Sequence, residues 1–256
     1  LENIDIGGPA MVRAAAKNFP HVIVVVDPGD YGRVGEMITS GGVPMEERRK
    51  LAAKAFQHVA HYDTVVSSYL RGESLGDGDF PSEFTCGRNL VSSLKYGEHP
   101  HQSVASYSAP GTPSGVAGAE QLLGPGLGYI NDLDAYSAGR SVQSLSDTAV
   151  SIVKHANPCG LAIHEDQSEA FRRALAGDPV SAYGGIVGFN RRVTVDTVAA
   201  MKGTLFHVVI APGYEPDALE ALSKRKSARV LLVKRPSNPA PKAHSITAAL
   251  LVHSTP

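Results

Sequence analysis

The chain has 256 residues, 43% of them hydrophobic and 19% charged, with a formal net charge of −1. That length allows one large domain or two smaller ones around a sizeable core. The near-neutral balance gives no basic field for nucleic acid or an anionic membrane surface. No apolar run approaches the ~20 residues that cross a bilayer, and the N-terminus lacks a signal-peptide pattern. Only Cys86 and Cys159 are present; so few thiols argue against a disulfide framework and fit a reducing cytoplasm. The first residues, Leu1 to Asp5, and the last, Ser254 to Pro256 after an apolar segment, both read as interrupted, which predicts a fragment.

In chain order, Ile4 to Pro9 reads as a short extended piece entering a glycine turn, and Ala10 to Asn18 as a helix with Pro9 in its first turn. Gly7-Gly8 offers N–H groups that suit an anion, although two glycines alone are more often simply a turn. Val22 to Val26 is a β-branched run bounded by Pro20 and Asp27-Pro28-Gly29-Asp30, the pattern of a buried parallel strand. Helices are predicted over Tyr31 to Thr39 and Met45 to Leu70. The second has an apolar stripe at Leu51, Ala55, Val59, Tyr62, Val66 and Tyr69. His58 and His61 lie at metal-compatible spacing, but no third ligand is near, so they read as exposed helix positions. Arg71 to Gly87 is polar and rich in breakers, a loop and the best domain boundary.

Asn89 to Leu94 is extended. Lys95-Tyr96-Gly97-Glu98-His99-Pro100-His101-Gln102 then gathers donors in an irregular segment, a candidate polar-ligand site. His-Pro-His has the wrong geometry for zinc, and no Cys or acid pair completes a site. Ser106 to Gly118 reads as surface loop, and a helix is predicted from Asp132, with that residue as cap. Thr148 to Val153 is a strand delivering Lys154-His155 into a turn forced by Asn157-Pro158-Cys159-Gly160. Taken alone, the pair reads equally as active-site residues or as a surface Lys beside a loop His. Leu161 to Ile163 continues as a short strand and Glu165 to Leu175 as a helix. Asp178 to Asn190 presents Ser181 and Tyr183 before a double glycine that allows close approach. Asp196 to Met201 and Pro216 to Ser223 read as helices, and Phe206 to Ala211 and Arg229 to Val233 as strands. The alternation is that of an α/β protein with a largely parallel or mixed sheet.

Four of these stretches resemble a known family. Ile4 to Asn18 is similar to the late cyclohydrolase domain of the bifunctional purine biosynthesis proteins. These combine phosphoribosylaminoimidazolecarboxamide (AICAR) formyltransferase with IMP cyclohydrolase. Lys95 to Gln102 resembles the segment opening the formyltransferase domain, Lys154 to Gly160 the catalytic Lys-His turn, and Asp178 to Asn190 the substrate loop. The resemblance implies a Rossmann-like (methylglyoxal-synthase-like) cyclohydrolase end over residues 1–80 with connecting helices. A partial cytidine-deaminase-like formyltransferase domain is implied over 81–256. It further implies formyl transfer from 10-formyltetrahydrofolate to AICAR, ring closure of the formylated product to IMP, and a homodimer. A monovalent cation is a candidate ligand.

On this resemblance His155 is the base that takes a proton from the AICAR amine, since imidazole titrates near neutrality. Lys154 stabilises the oxyanion or protonates the leaving folate nitrogen. Lys95 and Tyr96 are candidates for the 5′-phosphate, Ser181, Tyr183 and Gly184 for base and ribose, Asn131 for the carboxamide, and Asn157 for substrate contact beside the pair. Asp5 and Lys17 match cyclohydrolase positions. Lys95 stands where the family usually has Arg, which predicts weaker phosphate binding. Ile130 replaces the first of two adjacent Asn, and the first half of one domain and the second half of the other are missing, so weak or no turnover is predicted. The competing reading is an inactive remnant that dimerises or binds purine nucleotide. A zinc deaminase would need a Pro-Cys-x-x-Cys, of which only Pro158-Cys159 occurs.

Overall fold

A computed structural model describes residues 1–74, 80–99, 101–109, 115–234, 242–246 and 249–253. The chain divides into two compact units, Leu1–Arg88 and Asn89–Pro256.

The first unit is helical. Helix α1 (Gly7–Lys17) starts three residues before the predicted Ala10. It does so because the Asp5 carboxylate accepts the Gly8 N–H at 3.1 Å and so fills the anion position predicted for Gly7-Gly8. A 3-10 turn (Pro28–Asp30) leads into α2 (Tyr31–Thr39), and α3 spans Met45–Ser74, one turn beyond the predicted Leu70 and into the segment read as loop. Acidic Glu46 and Glu47 suit the first turn of α3. Lys54 on α3 fixes the 3-10 turn by ion pairs to Asp27 and Asp30, at 2.5 and 2.7 Å.

The predicted strand Val22–Val26 belongs to no sheet among the described residues. Its side chains alternate as a strand's would. Val24 and Val26 join Ala16, Ala52 and Ala55, between α1 and α3. Ile23 and Val25 join Val34, Val43 and Leu51 on the other side. The run is held by packing on both faces rather than by a ladder. His58 is exposed; His61 is half-buried, its ring against the α-carbon of Gly87.

The second unit is built on a mixed sheet. Strands β1 (Asn89–Leu94) and β2 (Val104–Ser108) form an antiparallel pair of their own. Strand β2 and a 3-10 turn (Gly115–Gly118) occupy part of the predicted loop. Strand β3 (Glu120–Leu123) precedes α4 (Tyr129–Gln143). That helix begins before the predicted Asp132: Gly128 is its N-cap and Asp132 sits in its first turn. Next come β4 (Ala149–Lys154), β5 (Asn157–Ile163), α5 (Gln167–Gly177), β6 (Gly185–Phe189), α6 (Val195–Ala200), β7 (Phe206–Ala211), α7 (Pro216–Ser223) and β8 (Arg229–Leu232). A hairpin of β9 (Lys242–Ile246) and β10 (Ala249–His253) follows.

The main sheet has the order β3-β8-β7-β6-β4-β5. Strands β6, β7 and β8 are mutually parallel, while β4 runs antiparallel to both β5 and β6. Both faces are covered. One core gathers Phe171, Phe206, Met201 and Leu222 with Val150 and Ile152, under α5, α6 and α7. The other packs Ala135 and Ala138 of α4 against Val153, Ile186, Val208 and Ile210. Central strands buried on both sides explain the near-continuous apolar runs of β4, β6 and β7. The Ser151 hydroxyl, buried in the middle of β4, donates to the Ala138 carbonyl at 2.8 Å and fixes α4 across the sheet.

Candidate active site

The Lys154–Asn157 segment is a two-residue hairpin rather than a strand running into an Asn-Pro-Cys-Gly turn. Lys154 and Asn157 are paired across the β4–β5 ladder. His155 and Ala156 form the loop, with φ of 52° and 61°. Two consecutive positive φ values match the right-handed twist of the flanking strands. They normally call for Gly or Asn; for other residues the left-handed region costs roughly 1–2 kcal/mol each. The Asn157 side chain supports the turn by donating to the His155 carbonyl at 2.9 Å. A second support comes from Asp134 on α4, whose side chain is buried. Its carboxylate accepts the Ala156 N–H at 2.6 Å. A hydrogen bond to a charged group is worth about 1.5–3 kcal/mol, enough to offset the strain of one residue.

The bend sits at the predicted pair itself, so the two side chains diverge from strand geometry there. The His155 ring is exposed. The half-buried Lys154 ammonium donates to the Tyr183 carbonyl at 2.9 Å, which ties the hairpin to the predicted substrate loop. That loop is organised by Asp178. Its carboxylate accepts the Val180 and Ser181 N–H groups at 3.1 and 2.9 Å and the Ser181 hydroxyl at 2.5 Å. The hydroxyl first, then the amides, holds the Asp178 carboxyl below its ordinary value. Gly184 has φ +70°, and its N–H bonds the Leu205 carbonyl at 2.7 Å. A Cβ there would lie 3.2 Å from the Lys154 ammonium and 3.3 Å from the His207 ring. Glycine is required both for the conformation and for this approach. His207, on β7, is thus next to Lys154. Burial first, then the charges of Lys154 and Arg229, holds its imidazole below the usual histidine range.

Helix α4 carries the next part. The Lys95 N–H bonds the Leu127 carbonyl and the Tyr129 N–H bonds the Tyr96 carbonyl, both at 3.0 Å. The Tyr96 ring lies on Gly128, where a Cβ would overlap it. The Lys95 ammonium stands 6.0 Å from the Tyr96 ring centroid. Lys95 and Tyr96 are thereby anchored to the entry of α4, beside an open recess lined by Glu98, Gln102, Ser103, Val104 and Tyr129. Asn131 is in the first turn of the same helix, half-buried beside Asp132, whose carboxyl burial pushes up. The His99 and His101 rings stack with centroids 5.8 Å apart instead of converging on a common point. Among the described residues no group of three or more His, Cys, Asp or Glu could hold a metal ion.

Lys154 touches Tyr183 and Gly184 directly, with His155 and Asn157 in its own hairpin and Ser181 in the same loop as Tyr183, and Lys95, Tyr96 and Asn131 lie at the entry of the helix that supports the hairpin. Asp5 precedes α1 and Lys17 is its last residue, so the helix from Gly7 to Lys17, about 15 Å long at 1.5 Å per residue, lies between them. Three residues of the site escaped the sequence reading. His207 interrupts an apolar strand, a usable signal. Asp178 precedes Pro179 in an Asx-turn pattern. Asp134 has no local signal, because its partner is 22 positions away.

The AICARFT/IMPCHase bienzyme family matches residues 15–255. The bifunctional purine biosynthesis protein purH of Dictyostelium discoideum is 41% identical over 99% of this chain and 52% of its own length. The PurH protein of Persephonella marina is 47% identical over 91% of the chain and 46% of its own length. That of Mycobacterium marinum is 43% identical over 98% and 49%. The chain spans about half the length of these curated relatives.

Proposed function

The chain belongs to the AICARFT/IMPCHase bienzyme family, and on that premise we propose that its second unit carries the Lys-His part of the formyl-transfer site of de novo purine biosynthesis. The observation that supports this most is the Lys154 ammonium bonded to the Tyr183 carbonyl, because it ties the cation next in sequence to His155 to the Ser181–Gly184 loop. The AICAR amine is conjugated to its imidazole ring and is a poor nucleophile. His155 accepts its proton as the nitrogen attacks the formyl carbon of 10-formyltetrahydrofolate. The ammonium of Lys154 faces the resulting oxyanion. Collapse breaks the bond from the formyl carbon to the folate nitrogen, which takes up a proton, and leaves formylated AICAR.

In this reading Ser181, Tyr183 and Gly184 border the base and ribose, Lys95 and Tyr96 the phosphate, and Asn131 the carboxamide. Asp5 and Lys17 contribute to ring closure to IMP. Residues 1–80 are the end of a Rossmann-like cyclohydrolase domain, and 81–256 the start of a cytidine-deaminase-like one. A homodimer in the cytoplasm completes the reading; the free thiols of Cys86 and Cys159 suit that compartment.

Titration calorimetry of AICAR into the chain tests it. Saturable binding is expected, weakened about tenfold or more, or 1.4 kcal/mol, by the Lys154→Ala, His155→Ala double substitution. An unsubstituted chain that binds no AICAR overturns the reading.

A further inference from the structure

We propose that Asp134 is a positioning residue: its buried carboxylate sets the left-handed His155–Ala156 turn and so fixes where the His155 imidazole and the Lys154 ammonium stand. The consequence for AICAR rests on the reading above; the hold on the turn does not. Three observations carry it. His155 and Ala156 occupy a backbone region that L side chains rarely adopt. The Ala156 N–H is bound at 2.6 Å by a carboxylate from a different element, α4. Asp134 lies in the helix segment fixed to the sheet through Ala138 and Ser151. Strained turns at functional sites persist where their surroundings over-determine them, and here the determining contact comes from outside the hairpin. Helix α4 also begins at the residues that hold Tyr96, so one rigid element sets both the Lys-His turn and the neighbouring recess.

The test uses the full chain and the variants Asp134→Ala, Asp134→Asn, Ala156→Gly and the Asp134→Ala, Ala156→Gly pair. By NMR, the Ala156 amide proton of the unsubstituted chain is expected far downfield, as a short hydrogen bond to a carboxylate places it. An Ala156 amide proton in the ordinary range overturns the proposal, and this readout needs no variant to fold. In Asp134→Ala the turn is expected to lose its positive φ at His155 and AICAR affinity to fall about tenfold, while Asp134→Asn, which keeps an acceptor oxygen, stays within about threefold. Adding Ala156→Gly to Asp134→Ala is expected to restore most of the affinity, because glycine adopts the turn unaided. A role confined to packing α4 would not be rescued in this way. A folded Asp134→Ala protein with an unchanged turn, or a pair no better than Asp134→Ala, overturns the proposal. Failure of the unsubstituted chain to bind AICAR would sink the functional reading while the Ala156 amide still decides the role of Asp134.

Discussion

At His207 one imidazole stands beside two cations. Burial is the largest influence on it and the charges of Lys154 and Arg229 follow, all holding its pKa below the ordinary 6.5. The unfolded chain therefore takes up this proton at a higher pH than the folded one. Between about 6.5 and the lower folded value, stability falls as pH falls. Urea midpoints of the natural chain are expected to drop more steeply between pH 7.5 and 5 than those of a His207→Gln variant. Equal slopes would mean that the imidazole is not held neutral by its site. A Lys154→Met substitution is expected to raise the His207 titration measured by NMR without returning it to the ordinary value, because burial remains. The pair Lys154-His155 was legible in the sequence as cation plus imidazole at a strand end. That a second histidine faces the same ammonium was not, since only the side-by-side register of β6 and β7 brings position 207 to Gly184.

At the scale of an element, the β4–β5 hairpin separates what residue types announce from what they do. Asn157, Pro158 and Gly160 are turn formers, yet they lie inside β5. Strand β5 is the edge of its sheet, and an edge tolerates a proline that donates nothing to a ladder. Gly160 is there for space. A Cβ on it would overlap the Ala174 carbonyl of α5, so the glycine lets the helix backbone lie directly on the strand. Gly160→Ala is expected to cost about 1–3 kcal/mol as overpacking against backbone that cannot rotate away. Gly126→Ala, where nothing lies within 4 Å, should stay within about 0.5 kcal/mol. Urea denaturation of the two variants checks the contrast; similar losses would show that β5 and α5 are not in such close contact. Helices α2, α3, α5 and α7 were readable because their apolar spacing is local, and α5 adds a local cap, with Asp166 accepting the Ser168 N–H at 2.8 Å. The true turn was not, because its strain is relieved by Asp134 from outside the hairpin.

Across the whole chain, the same β-branched composition meets two fates. Val150–Val153 and Val208–Ile210 pair on both sides within the six-stranded sheet. Val22–Val26, with a stronger strand signal, pairs with no strand among the described residues and is held only by side chains packed on both faces. Burial and backbone pairing are separate protections, and hydrogen exchange reports the second. Amides of β4, β6 and β7 are therefore expected to exchange only on global opening of the second unit. Those of 23–26 should exchange orders of magnitude faster despite the burial of Val24. The Val22 amide, bonded to the Asn18 carbonyl at 2.9 Å, should be slower than its neighbours and serves as the internal control. Measured by NMR over a range of protein concentrations, fast exchange at 23–26 that is independent of concentration supports an unpaired run. Protection that grows with concentration would mean that a second copy of the chain supplies the missing ladder. Strong protection at every concentration would mean that the run pairs within its own chain and that packing alone is the wrong account of the first unit.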